Sequence, residues 1–170
     1  MFGDLEAPGA LERAARDVAT LQNDVILMAT GPDLTSVQMM NNTLVSLAGV
    51  RLRSHVLVIA DSFATCTQLL APPCFWSSRL VLNKPADSLT SRQFWDWRFR
   101  FYYIKKAYIS RLVKAGFGVL QADTDTIWLH DPFPVLRSME SSSIVSMEDG
   151  PFANAGVMYA RPGVLCASEL

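Results

Sequence analysis

The 170-residue chain carries no excess charge of either sign: 15 Lys and Arg stand against 16 Asp and Glu, a formal net charge of -1. The global basic field that holds nucleic acid is absent, so no nucleic-acid partner is expected. No apolar run approaches the ~18 residues needed to cross a bilayer, and no membrane span is expected. Met1 to Glu6 show no basic segment leading into an apolar stretch, so no secretory leader is expected either. Internal repeats and low-complexity tracts are missing, and 9 Gly and 9 Pro are ordinary usage, which excludes collagen-like and disordered classes. There are only three cysteines, Cys66, Cys74 and Cys166, with no CxxC spacing and no neighbouring His. Free thiols are the plain expectation, with Cys66 and Cys74 the pair that an oxidising compartment would join. The two histidines, His55 and His130, sit in no ligand-spaced cluster and are expected to be structural.

What is present is a core. Half of the residues are apolar and 18% are charged, at a length that suits one packed domain over 1–170. Ala10, Leu11, Ala14, Ala15, Val18 and Leu21 recur at helical spacing. Asp24–Ala29 is apolar on both faces, as a buried parallel strand must be, and Thr30-Gly31-Pro32 stops it. Residues 33–48 return to helical spacing, and His55–Ala60 repeats the strand pattern up to Asp61-Ser62. The triplet Asn41-Asn42-Thr43 matches a glycosylation acceptor but falls inside that predicted helix. A helix around 63–70, a loop at Pro72-Pro73 and a short strand at Leu80-Val81-Leu82 follow. Thr90 or Ser91 can cap a long helix to about Lys114. Its stripe of Phe94, Trp97, Phe101, Ile104, Tyr108 and Leu112 reads as a core face rather than a stacking platform for bases. Gly116 closes the helix, Phe117–Ala122 is a third strand, and strand-like runs recur at 143–146 and 156–159. Alternating strands and helices predict an α/β fold, a mostly parallel sheet with helices on both faces. Ligands in such sheets gather at the carboxyl ends of the strands, here marked by Thr30-Gly31, Asp61-Ser62 and Asp123-Thr124-Asp125.

Asp123 and Asp125 are the chemistry-bearing pair. Carboxylates two residues apart in extended chain project to one side, and at a wet strand end they repel unless a cation neutralises them. A hard octahedral ion, Mn²⁺ or Mg²⁺, sharing its other positions with phosphate oxygens and water, suits them best. The plainer alternative is a solvated turn with one Asp capping a helix.

The block Gly116-Phe117-Gly118-Val119-Leu120-Gln121-Ala122-Asp123-Thr124-Asp125-Thr126-Ile127-Trp128-Leu129-His130-Asp131-Pro132-Phe133 resembles the signature of glycosyltransferase family 77. The Asp-x-Asp is shared by many enzymes of that fold, family 8 included; the Trp-Leu-x-Asp-Pro continuation points to family 77. Asp24–Thr30 is similar to the family's first strand, and Phe152–Pro162 to its Asn-x-Gly segment, so the resemblance runs from about 24 to 163. It implies a Rossmann-like GT-A fold and a retaining transfer of a pentose or hexose from a UDP-sugar to a glycoprotein or polysaccharide acceptor. It further implies that Asp125 ligates Mn²⁺ between the donor's phosphates and that Asp123 contacts the ribose and the metal shell. Asn154 and Gly156 then belong to a loop near the donor sugar. Members are usually enzymes of the Golgi lumen. Relatives of this kind continue well past the Asn-x-Gly strand, often to a late metal-ligating His, so a donor-binding half without its acceptor half is expected here.

Beside the resemblance, the residues themselves offer Lys105 as a cation assisting the leaving diphosphate, and Thr30 and Asp61 at their strand ends as contacts to the uridine. Each has a bland alternative: a solvated helix face for Lys105, a turn or capping role for the other two. Asp131, before Pro132, is expected to fix the turn. Two other readings stand against sugar transfer. In a haloacid-dehalogenase-like phosphatase Asp123 would be the nucleophile and Asp125 the acid/base, although Glu148-Asp149 is the sole acidic pair downstream. In the other, the chain is a catalytically inactive interaction fragment.

Overall fold

The computed structural model describes residues 3–69, 73–82, 88–149 and 152–162. Its elements are α1 (Ala10–Val18), β1 (Asp24–Thr30), α2 (Leu34–Gly49), β2 (Val56–Ala60), α3 (Phe63–Cys66), β3 (Cys74–Trp76), α4 (Ser91–Lys114), β4 (Gly118–Ala122), α5 (Phe133–Ser138), β5 (Ile144–Asp149) and β6 (Phe152–Ala160). The strands form one six-stranded sheet in the order β3-β2-β1-β4-β6-β5. The pairs β3–β2, β2–β1 and β1–β4 are parallel; β6 runs antiparallel to both β4 and β5. The expected α/β sheet is therefore present, with an antiparallel margin added at the β4 side.

Side chains alternate across the pleat, so the apolar runs serve two cores. Val25, Leu27, Leu57, Ile59 and Val119 pack with α1 and α4 on one face. Ile26, Met28, Val56, Val58 and Leu120 pack with α2, α3 and α5 on the other. This explains the continuous apolar run through β2 and the middle of β1, while buried Gln121 interrupts β4. Thr90 caps α4 in a reciprocal pair with Gln93, and Gly116 ends it at φ 91°, a left-handed position that suits glycine. Asp131 does fix the turn into α5, its carboxylate accepting the Phe133 amide at 2.9 Å. His55 is tied to the Val18 carbonyl at 2.8 Å, a structural role as expected.

Four expectations need correction. Leu80-Val81-Leu82 is not a strand; the edge strand is Cys74–Trp76, beside the prolines, and Leu80 is a buried turn residue. The helix from 63 is a single turn ending at Cys66. Cys66 and Cys74 are not free thiols but form a disulfide, with Cα atoms 5.5 Å apart, joining α3 to β3. Cys166 lies outside the described residues. Finally, the α4 stripe is not wholly core: Ile104, Tyr108 and Leu112 are buried, whereas Phe94 and Phe101 at its amino-terminal half remain partly exposed. No described helix is long and apolar enough to cross a membrane.

Candidate active site

A cleft of about 380 Å³ opens at the carboxyl ends of β1 and β4. Its first wall follows from the break after β1. Thr30-Gly31-Pro32 ends the strand because proline offers no amide to the ladder, and Asp33 then caps α2 by accepting from the Ser36 amide at 2.8 Å and its hydroxyl at 2.6 Å. The second wall is the amino-terminal half of α4. Trp97 lies so close to the first wall that a methyl carbon on Gly31 would come within 3.0 Å of its ring. The Trp97 indole is anchored by donating to the Leu80 carbonyl at 2.9 Å, and the Phe101 ring packs 5.2 Å from it. Helical periodicity finds this stripe but not its environment. The residues that looked like core are half cleft wall, and the signal for them was the density of aromatics between 94 and 103.

The floor is Asp123-Thr124-Asp125, where β4 leaves the sheet. The Asp123 amide donates to the Gly156 carbonyl at 2.8 Å, so β6 holds the point of departure. The Asp123 carboxylate accepts from Lys105 Nζ at 2.8 Å through Oδ1. Lys105 is almost wholly buried, its side chain 5% exposed against 41% for Asp123. Its ammonium also lies 5.4 Å from the Tyr102 ring, whose negative face helps to hold a desolvated cation. Lys105 is therefore no solvated surface residue. Asp125 is exposed and accepts no hydrogen bond among the described residues.

The structure thus brings Thr30, Lys105, Asp123 and Asp125 to one cleft. Asn154 and Gly156 stand behind it. The Gly156 amide donates to Asn154 Oδ1 at 2.6 Å, and a methyl carbon on Gly156 would lie 3.0 Å from Asp123 Oδ2. Asp61 is not brought there. It is buried at the end of β2, where it accepts from the Thr65 hydroxyl at 2.6 Å, and it lines no part of the cleft. Burial pushes its carboxyl above the usual range, and the Thr65 and Ser62 hydrogen bonds oppose that shift.

A divalent cation suits this floor. Asp123 Oδ2 and the Asp125 carboxylate are hard oxygen donors, and no cluster of three or more His, Cys, Asp or Glu exists among the described residues. A set with one or two carboxylates leaves most of an octahedral shell to phosphate oxygens and water, as Mg²⁺ and Mn²⁺ sites do.

A family model described as nucleotide-diphospho-sugar transferase matches residues 51–163, a span that takes in α4, the Asp-x-Asp loop and β6. A UDP-D-xylose:L-fucose alpha-1,3-D-xylosyltransferase of Arabidopsis thaliana is 30% identical over 129 residues, covering 75% of this chain and 34% of that protein. The Arabidopsis xylosyltransferase 1 of the same description is also 30% identical over 129 residues, and number 3 is 27% identical over 130. The chain spans about a third of the length of the curated relatives it matches.

Proposed function

The chain belongs to the nucleotide-diphospho-sugar transferase family, and from that premise we propose that it forms the donor-binding part of a retaining glycosyltransferase that uses a UDP-sugar. The observation that carries the reading is the meeting of Asp123, Asp125, Lys105 and Thr30 in one cleft at the carboxyl ends of β1 and β4. Breaking the bond between sugar and phosphate leaves a nucleoside diphosphate, and catalysis requires fixed positive charge where that negative charge develops. Asp125 and Asp123 would hold a Mn²⁺ or Mg²⁺ ion, which supplies Lewis-acid neutralisation of the diphosphate without a proton transfer.

The chain's own groups do the rest. Lys105, buried and ion-paired, fixes the Asp123 carboxylate and adds a second positive charge at the cleft floor. Trp97 and Phe101 make one wall apolar, which lowers the polarity beside the Lys105–Asp123 pair. Thr30 lines the cleft but is 1% exposed, so a bond from its hydroxyl to the uridine requires it to leave its long contact, 3.5 Å, to the Gly31 carbonyl and turn outward. The names of the relatives make UDP-xylose the first donor to test and an L-fucose-bearing glycoprotein or polysaccharide the first acceptor. The Cys66–Cys74 disulfide supports an oxidising compartment, in keeping with the Golgi lumen. The family match favours sugar transfer over the phosphatase reading of Asp123.

Thermal melts test the proposal. UDP with Mn²⁺ is expected to raise the melting temperature of the full chain, and UDP in chelator is not. Equal protection in both conditions, or none in either, would overturn it.

A further inference from the structure

The loop that carries the acidic pair is held in an unusual way. Beyond the turn at Thr124–Asp125, no backbone-to-backbone hydrogen bond holds the loop as far as Asp131 among the described residues. Side-chain hydroxyls hold the loop instead. Thr43, in the middle of α2, shares its hydroxyl proton between the Thr124 carbonyl at 2.6 Å and the Thr126 carbonyl at 2.9 Å. These carbonyls flank Asp125 on either side. One turn along the same helix, the Ser46 hydroxyl accepts from the Trp128 amide at 3.2 Å and donates to the Thr43 carbonyl at 2.8 Å. Within the loop, the Thr126 hydroxyl closes back on the Asp123 carbonyl at 2.9 Å.

We propose that Thr43 is a positioning residue, acting through the Asp-x-Asp loop to fix where the Asp125 carboxylate stands. The inference rests on the reading of that pair as the cation and diphosphate floor. Three features carry it. Thr43 is 1% exposed, and a Thr in mid-helix ordinarily points to solvent or bonds back to its own helix; this one spans to a loop 81 residues away in sequence. Its two acceptors bracket Asp125, whose own side chain finds no protein partner among the described residues. Asp123, by contrast, is fixed twice without Thr43, by its amide to Gly156 and its carboxylate to Lys105. Loss of the Thr43 hydroxyl would therefore loosen the backbone on both sides of Asp125, leaving it only the Thr126 and Ser46 contacts, while Asp123 stays in place. The arrangement also accounts for the Thr of Asn41-Asn42-Thr43 without a glycan, since its hydroxyl is already committed.

The test compares Thr43→Val, which keeps the branched shape and loses the hydroxyl, with Thr43→Ser, which keeps the hydroxyl. Calorimetry of UDP into the full chain is run with Mn²⁺ and with chelator, beside hydrogen exchange over residues 124–129 of the metal-free protein. Thr43→Val is expected to weaken Mn²⁺-linked UDP affinity about tenfold and to speed exchange in the loop, and Thr43→Ser to restore both to near the parent. Should Thr43→Val fold poorly, Ser46→Ala removes the neighbouring anchor and is expected to speed exchange at the Trp128 amide. Parent-like affinity and exchange in Thr43→Val overturn the inference, as do equal losses in Val and Ser that merely follow thermal stability. If the parent itself shows no Mn²⁺-linked UDP binding, the functional reading fails, and loop exchange still decides whether Thr43 holds the loop.

Discussion

Gly156→Ala separates damage to the site from damage to the fold. A methyl carbon built on Gly156 meets Asn154 Oδ1 at 2.9 Å and Asp123 Oδ2 at 3.0 Å, where ordinary contact begins near 3.4 Å. Neither oxygen yields freely. Asn154 Oδ1 is held by the Gly156 amide at 2.6 Å, and Asp123 is held through its other oxygen by Lys105 at 2.8 Å. Relief requires the carboxylate to move a few tenths of an ångström. Gly156 is not among the glycines at positive φ, so alanine adds no backbone strain. Crowding of this kind costs ~1 kcal/mol, at the low end for overpacking. The lower entropy of the unfolded alanine chain offsets roughly 0.4–1 kcal/mol of it. The net change in melting temperature is expected to stay within about 4 °C for a chain of this size. Mn²⁺-linked UDP affinity, read by calorimetry, is expected to fall about tenfold, because small displacements of a liganding group are costly. Parent-like affinity would refute the placement of Asp123 Oδ2 in the site. A fall of 10 °C or more, at unchanged affinity per folded molecule, would show that the contact belongs to the core instead.

Three further predictions follow from individual contacts. Lys105→Met fills the buried volume but strips Asp123 of its partner; because Asp123 is 41% exposed and can rehydrate, the stability loss should stay near ~1 kcal/mol in urea unfolding while UDP affinity drops at least tenfold. Asp61 is a buried acid whose carboxyl is shifted up by desolvation, so the folded state holds its proton more tightly than the unfolded state does. Its contribution is present below the ordinary carboxyl value and is lost as pH rises above it; Asp61→Asn should therefore melt higher than the parent at pH 7, with the difference vanishing near pH 3.5, and a lower melting temperature at pH 7 would contradict this. The Cys66–Cys74 bond closes a loop with a separation of 8 residues, for which chain entropy gives roughly 2.5 kcal/mol. Replacing both cysteines by serine should lower the calorimetric midpoint by about 5–10 °C, and thiol titration of the denatured parent should find one free cysteine rather than three.

The parts of the fold that were legible are those whose pattern is local. Val25–Met28, Val56–Ala60 and Val119–Leu120 are apolar on both faces because two cores share them, and Thr90 and Gly116 mark the ends of α4 by cap chemistry alone. The edge strand was not legible. Cys74–Trp76 has three residues, and its position depends on contacts distant in sequence: β2 on one side, a single bridge to Asp4 on the other, and the disulfide to Cys66. The short helix after Pro132 was missed for the same reason of length. At the site, Asp123 and Asp125 announce themselves by spacing, and Lys105 lies on a visible helix. Periodicity could not tell that Phe94 and Phe101 face a cleft, since it reports a shared face and not what lies opposite. Asp61 and Thr30 look alike in sequence, each a polar residue closing an apolar strand; only the turn into α3 sends the Asp61 carboxylate to Thr65. Thr43 left no sequence signal, because its partners lie 81 and 83 residues away.

Mn²⁺ paramagnetic resonance tests the central claim most directly. Adding the chain to Mn²⁺ and UDP should reduce the six-line signal of the free ion well below the level set by UDP alone, and Asp125→Asn should return it to that level. A parent chain that leaves the Mn²⁺–UDP signal unchanged, or an Asp125→Asn variant that reduces it as the parent does, would contradict the assignment of the acidic pair as the floor of a cation and diphosphate site.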